Sequence, residues 1–154
     1  RIVKPILQLF EKMDVWESVS LISFDAELMK ALHCTWAEEK WEDKPSTFLN
    51  SYWLVSSHVY PEIETYGLGY FADDKSIPEL CDQLQKIGTR GIYLEFNETT
   101  VTRPVLEAFS AAGFRVGIWS GRSEHENWDV IQFLSQSGVE VINTDEPRKL
   151  VESL

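Results

Sequence analysis

The sequence contains little cysteine and little histidine. Only two of its 154 residues are cysteine and three are histidine. Cys34 and Cys81 lie far apart, with no C-x-x-C spacing and no clustered histidine beside them. This pattern argues against a zinc site and against a dense disulfide framework, so we expect two free thiols that are buried or partly buried.

Positive charge and long apolar runs are also scarce. Fourteen Lys and Arg residues stand against 25 Asp and Glu residues, which gives a net charge of −11. Nucleic acids and anionic lipids bind through clustered Lys and Arg, so the sequence predicts neither as a partner. No apolar stretch approaches the roughly 20 residues that cross a bilayer, so no membrane span is predicted.

Several motifs that bind phosphate or build catalytic sites are missing as well. Gly67-Leu68-Gly69 has neither the later glycine nor the preceding strand that a dinucleotide-binding loop requires. No P-loop, G-x-S-x-G turn or helix-borne metal motif occurs. A site must therefore be sought at the ends of secondary-structure elements.

The sequence does contain alternating strand and helix signals. Ile2–Met13 has helical periodicity, Asp25 and Ser76 are placed to cap helices, and Gly138 can end one in the left-handed conformation. A long loop is predicted over Val59–Asp74. Buried strands are predicted at Val19–Phe24, Ser51–Ser57, Gly91–Phe96, Arg115–Ser120 and Val139–Asn143.

Five strands alternating with helices predict an α/β fold with a parallel sheet and right-handed crossovers. Their recurrence every 25 to 40 residues or so is typical of a (β/α) barrel. A free-standing five-stranded doubly wound sheet is the alternative.

The C-terminal third carries a family resemblance. Val116, Trp119, Gly138, Thr144 and Asp145 lie in a strand, helix and strand that read V-x-x-W-S and G-V-E-V-I-N-T-D-E-P. With the Ser23-Phe24-Asp25 strand end upstream, this resembles the C-terminal part of the glycerophosphodiester phosphodiesterase family. The resemblance favours the barrel over the doubly wound sheet. It implies that residues 1–154 form one domain, with about five β/α units from the C-terminal portion of a TIM-type (β/α)8 barrel.

The resemblance implies a metal-dependent phosphodiesterase that releases glycerol 3-phosphate and an alcohol from a small-molecule phosphodiester. The family's His-Arg-Gly, Glu-x-Asp and Glu-x-Lys motifs do not occur here. We therefore expect a C-terminal part that is inactive alone, with the histidines and the divalent cation, Mg²⁺ or Ca²⁺, held elsewhere in the full-length protein. The alternatives are a non-catalytic barrel and a flavodoxin-like binding module.

Two candidate site residues end predicted strands. The resemblance places Trp119 in the wall beside the bound substrate, although a core Trp at the barrel mouth would also suit the sequence. Glu95 ends the preceding strand and is either a substrate contact or, more in keeping with its type, an outward-facing or salt-bridged carboxylate.

Ser23 and Arg122 complete the candidate substrate-binding set. Ser23 ends a strand, where its hydroxyl either contacts substrate or satisfies nearby backbone groups. Arg122 follows the Trp119 strand, where a guanidinium suits a phosphate group but could instead pair with Glu124 or Glu126.

The remaining polar candidates have ordinary structural interpretations. His58 and His125 are read as loop residues, and His33 as a residue that interacts with carbonyl groups at a helix end. Asp145 either orients a neighbouring group or caps a final helix that starts near Pro147.

Overall fold

A computed structural model describes residues 2–39, 50–57, 69–70, 76–119, 127–145 and 147–148 of the protein. The described residues form five helices and six strands. The helices are α1 (Val3–Met13), α2 (Ala26–Glu38), α3 (Ile77–Ile87), α4 (Arg103–Ala111) and α5 (Trp128–Gln136). The strands are β1 (Leu21–Ser23), β2 (Ser51–Ser56), β3 (Gly69–Tyr70), β4 (Gly91–Glu95), β5 (Arg115–Trp119) and β6 (Val141–Ile142).

The five main strands form one curled, all-parallel sheet. Their spatial order is β1-β2-β4-β5-β6, so each strand lies beside the one that precedes it along the chain. The two-residue strand β3 pairs in parallel with the end of β2, where Val55 and Ser56 face Gly69 and Tyr70. The predicted α/β class with a parallel sheet is therefore confirmed.

The two faces of the sheet contribute to two different clusters of side chains. Trp53, Val55, Ile92 and Leu94 point into a large core cluster that also takes the buried residues of the helices. Tyr52, Leu54 and Tyr93 point the other way and form a smaller cluster with the partly buried Phe24, Trp119 and Val141. Among the described residues, no helical side chain belongs to this second cluster. We call this side of the sheet the concave face.

A contact between two aromatic rings shows how strongly the sheet curls. Phe24 follows β1 and Trp119 ends β5, with β2 and β4 lying between them. In a flat sheet these positions would be three strand spacings apart, roughly 14 Å. Their ring centroids nevertheless lie 5.3 Å apart with the planes at 83°. The two rings therefore lean toward each other across the concave face of the curled sheet.

Two glycines make room for the rings inside this curl. The rings of Tyr52 and Tyr93 meet edge to face at 5.5 Å, and each leans over the neighbouring strand. A Cβ atom on Gly91 would lie 2.7 Å from the Tyr52 ring, and one on Gly117 would lie 2.3 Å from the Tyr93 ring. Because neither approach is possible for real Cβ atoms, only glycine fits at these two strand positions.

The helix ends follow local chemistry in most cases. Asp25 caps α2 as predicted, since its Oδ1 accepts a hydrogen bond of 3.0 Å from the backbone N–H of Leu28. Gly138 follows α5 with a φ of 80°, as predicted. Ser76 precedes α3 but makes no side-chain capping bond, so that predicted cap is wrong although the helix exists.

Other predictions differ from the structure in their extent. Strands β1 and β6 are shorter than the predicted Val19–Phe24 and Val139–Asn143. Helix α2 extends to Glu38, so His33 lies within the helix and not at its end. Strand β3 lies within the stretch predicted as a loop. Cys34 is exposed, contrary to the expectation of burial, whereas Cys81 is partly buried, and both are free thiols.

Candidate functional site

Four side chains meet at the carboxyl ends of the strands on the concave face. Strand pairing aligns Tyr52 with Gly91, and Glu95 with Trp119. Because every second residue of a strand points to the same face, Ser56, Glu95 and Trp119 share the face of Tyr52 and Tyr93. Phe24 joins them through its ring contact with Trp119. We call Phe24, Ser56, Glu95 and Trp119 the strand-end layer.

Glu95 is the buried carboxylate of this layer. Only 1% of its surface is exposed, so the interpretation of Glu95 as outward-facing is wrong. The hydroxyl of Ser56 donates a hydrogen bond of 2.6 Å to Oε2, and the backbone N–H of Ser57 donates one of 3.1 Å to the same oxygen. Burying a carboxylate is costly unless donors of this kind replace water. The two bonds fix the carboxylate at the rim of the concave face.

Trp119 provides the apolar part of the layer. Its indole Nε1 donates a hydrogen bond of 3.2 Å to the backbone oxygen of Tyr93. Because the single polar atom of the indole is used in this way, the ring can offer a ligand only its apolar surface. With the ring of Phe24 set edge-on against it, Trp119 forms an aromatic wall beside Glu95.

The structure does not bring Ser23 into the layer. Ser23 pairs with Trp53, whose side chain belongs to the helix-facing core, so Ser23 lies on the opposite face from Glu95. Its Oγ accepts a hydrogen bond of 3.0 Å from the backbone N–H of Asp25. This is the backbone-satisfying role that the sequence allowed. The predictions for Arg122, His58 and His125 lie outside the described residues.

Sequence reasoning missed Phe24, Ser56 and Ser57 as parts of the candidate site. Ser56 and Ser57 form a polar pair directly after an apolar strand, which marks a strand end but does not reveal the carboxylate they bind. Phe24 also follows a strand, and the sequence does not reveal its ring partner Trp119, which lies 95 positions further along the chain. Only the curl of the sheet joins them.

The opposite end of the concave face is closed by an ion pair. Arg115, at the start of β5, forms a salt bridge with Glu140 and donates a hydrogen bond of 2.9 Å from Nη1 to Oδ1 of Asn50. The hydrogen bond with Glu140 raises the pKa of Arg115 above its ordinary value. Between the two ends, burial and then the neighbouring Tyr52 raise the pKa of Tyr93 to about 12. Tyr93 is therefore protonated at neutral pH and cannot act as a base.

His33 also lies at the amino ends of the strands, remote from the strand-end layer. The expectation that it interacts with carbonyl groups at a helix end is wrong, because it lies within α2 and its Nε2 is 2.8 Å from Oγ of Ser51. The Thr89 hydroxyl donates to the Ser51 carbonyl at 2.7 Å, and the Ser51 and Thr89 hydroxyl oxygens are 3.2 Å apart. The Ser51 hydroxyl therefore lies between the His33 ring and the Thr89 hydroxyl. Burial lowers the pKa of His33 below 6.5.

An open groove of about 360 Å³ lies beside the candidate site, between the loop after β4 and helix α5. Its described lining combines apolar and charged side chains, and no member of the strand-end layer is among them. They are Phe96, Glu98, Val101, Thr102, Arg103, Asp129, Val130 and Phe133.

The described part of the chain offers no cluster of three or more His, Cys, Asp or Glu residues that could hold a metal ion. The described residues alone therefore do not supply the ligands of a divalent cation. Within the same residues, no helix is both long and apolar enough to cross a membrane.

Comparison with known proteins gives no assignment. No protein-family model matches the chain, and no curated protein sequence matches it significantly. The fold, the strand-end layer and the resemblance in the C-terminal third remain as the indications of function.

Proposed function

We propose that the chain is the C-terminal part of a metal-dependent phosphodiesterase that hydrolyses glycerophosphodiesters to glycerol 3-phosphate and an alcohol. The observation that carries this proposal is the position of Trp119. The residue that the V-x-x-W-S resemblance assigns to the substrate wall ends a parallel strand, beside a buried carboxylate. Active sites of parallel α/β folds lie at this end of the strands.

The sheet supports the barrel part of the proposal. In a doubly wound sheet the strand order reverses and helices cover both faces, whereas in a barrel the strands follow one another and helices cover one face. Here the strand order follows the chain, and the described helical core residues lie on one side. The ring contact between Phe24 and Trp119 across two intervening strands also suits a curl of the kind that closes a barrel. These features favour five units of a (β/α)8 barrel.

The strand-end layer would act on the alcohol side of the substrate. Trp119 and Phe24 supply an aromatic wall that excludes water from one side of the bound diester. Ser56 and Ser57 hold the carboxylate of Glu95 in a fixed position next to this wall. Arg122 is proposed to contact the phosphate. A divalent cation held by the rest of the parent protein would supply charge stabilisation to the phosphoryl oxygens.

A kinetic comparison of two tryptophans in the longer parent protein tests the role of Trp119. Truncating Trp119 to Ala should raise KM for glycerophosphodiesters with bulky alcohols by at least about tenfold, because the aromatic wall is lost. The matched control is Trp128→Ala, which removes a partly exposed indole from the start of α5. Equal KM values for both variants and the wild type would contradict the assignment of Trp119 to the substrate wall.

Binding without turnover would favour the alternative, a non-catalytic barrel. In that case the parent protein would bind glycerophosphodiesters, Trp119→Ala would weaken binding, and no glycerol 3-phosphate would form. Absence of both binding and turnover would overturn the proposed substrate class.

A further inference from the structure

Helix α1 is apolar on two of its sides. Val3, Leu7 and Phe10 are buried in the core between the helices and the sheet. Ile2, Leu9 and Met13 are 61%, 51% and 60% exposed. With the half-buried Ile6 they recur at intervals of four, three and four residues, which places them on one side of a helix. A helix at the surface of a globular protein ordinarily has a single apolar stripe.

The exposed stripe points away from the rest of the helix row. Lys4 marks the side of α1 that faces α2, because its ammonium group forms a salt bridge with Glu39 at the end of α2. At about 100° per residue, the centre of the stripe lies roughly 170° around the helix from Lys4. Helices α1, α2, α3 and α4 contact one another in chain order. The stripe therefore occupies the position where one more helix would continue this row.

Strand β1 ends the sheet on the same side. Its described backbone partner is β2, with which it pairs over Leu21–Ser23. The N–H of Leu21 donates to the carbonyl of Asn50, so the N–H of the next residue, Ile22, points to the outer edge. The Ile22 side chain is 49% exposed and lies on the concave face opposite Tyr52. A backbone N–H that points away from β2 and an exposed apolar side chain are a template for another strand.

We propose that this flank, formed by Ile2, Ile6, Leu9, Met13 and the outer edge of β1, docks a further β/α unit of the same protein, N-terminal to α1. Its strand runs parallel to β1 and its helix packs against the stripe. The reason is topological, since α1 precedes β1, packs its buried side into the core and continues the row of helices, as a crossover helix that joins two parallel strands does. This inference rests on the barrel part of the proposed function and is independent of phosphodiester chemistry.

A second copy of the chain fits the flank less well. A copy docking head to tail would offer strand β6 and the outward side of α5, which carries Trp128, Gln132 and Ser135 and is largely polar. A net charge of −11 on each copy would also oppose association. The apolar stripe is better matched by the apolar side of an amphipathic helix.

Charge substitutions on α1 test the proposal. We would compare Leu9→Lys, within the stripe, with Gln8→Lys, which adds the same side chain at an exposed neighbouring position on the same helix. Each is made in the chain of residues 1–154 and in the protein extended upstream of Arg1. Thermal denaturation, the exchange rate of the Ile22 amide and sedimentation would be measured for all four proteins.

The proposal predicts that Leu9→Lys lowers the Tm of the extended protein and leaves that of the shorter chain nearly unchanged. Gln8→Lys should leave both unchanged, and the Ile22 amide should exchange at least about a hundredfold more slowly in the extended protein. A loss of Tm in the shorter chain equal to that in the extended protein would overturn the proposal. So would an unprotected Ile22 amide in the extended protein, or a dimer of the shorter chain that Leu9→Lys dissociates. Loss of phosphodiesterase activity alone would leave it intact.

Discussion

At the scale of single residues, the concave face depends on two glycines that the sequence marks only as breaks in apolar strands. The Tyr93 ring lies against Gly117 so closely that no Cβ atom can be accommodated. The sequence could place both residues in strands. It could not show that each tyrosine leans over the glycine of the next strand, because that depends on the register between strands.

Replacing Gly117 by Ala should therefore destabilise the protein by about 1 to 3 kcal/mol, as overpacking of a core does. Urea denaturation of Gly117→Ala would give this value. In a Tyr93→Leu background the same substitution should cost clearly less, since the ring it strikes has been removed. Equal costs in the two backgrounds would show that the Tyr93 ring is not the obstacle.

The burial of His33 beside Ser51 affects how the free energy of unfolding changes with pH. Burial lowers the pKa of His33 in the folded state below its value of 6.5 in the unfolded chain. Between the two values the unfolded state binds more protons, so stability falls as the pH drops below about 6.5. His33→Gln should flatten this part of the profile of unfolding free energy between pH 5 and 7. A profile parallel to that of the wild type would contradict the burial of a neutral His33.

At the scale of elements, local sequence chemistry predicted much of what is observed. The amphipathic helices, the apolar strands and the Gly138 helix end follow from residues close together in the chain. The lengths of β1 and β6 did not follow, because strand ends depend on which neighbour is present to pair with them. The position of Ser23 on the helix-facing side depends on register in the same way.

Two helix starts that look alike in sequence differ in their hydrogen bonds and provide a matched test. Asp25 caps α2 through Leu28, whereas Ser76 makes no side-chain cap on α3. Asp25→Ala should cost about 1 kcal/mol of unfolding free energy, and Ser76→Ala only a few tenths. Chemical denaturation of both variants would measure the difference. Equal losses of unfolding free energy in the two variants would mean that the hydrogen bond between Asp25 and Leu28 adds no stability.

At the scale of the whole molecule, the curl of the sheet creates the candidate site. Phe24 and Trp119 are separated by two intervening strands and meet only because the carboxyl ends of the strands converge. The sequence indicated Trp119 and Glu95 as strand-end residues, but the burial of Glu95 between Ser56 and Ser57 required the folded sheet. At one end of the sheet, α1 exposes Ile2, Leu9 and Met13, and β1 exposes Ile22.

The most direct test of the central claim is the release of glycerol 3-phosphate from a glycerophosphodiester by the protein extended upstream of Arg1. The shorter chain of residues 1–154 is assayed in parallel. We predict turnover by the extended protein that a metal chelator abolishes and added Mg²⁺ or Ca²⁺ restores, and no turnover by the shorter chain. An extended, folded protein that releases no glycerol 3-phosphate with either cation would contradict the assignment as a phosphodiesterase.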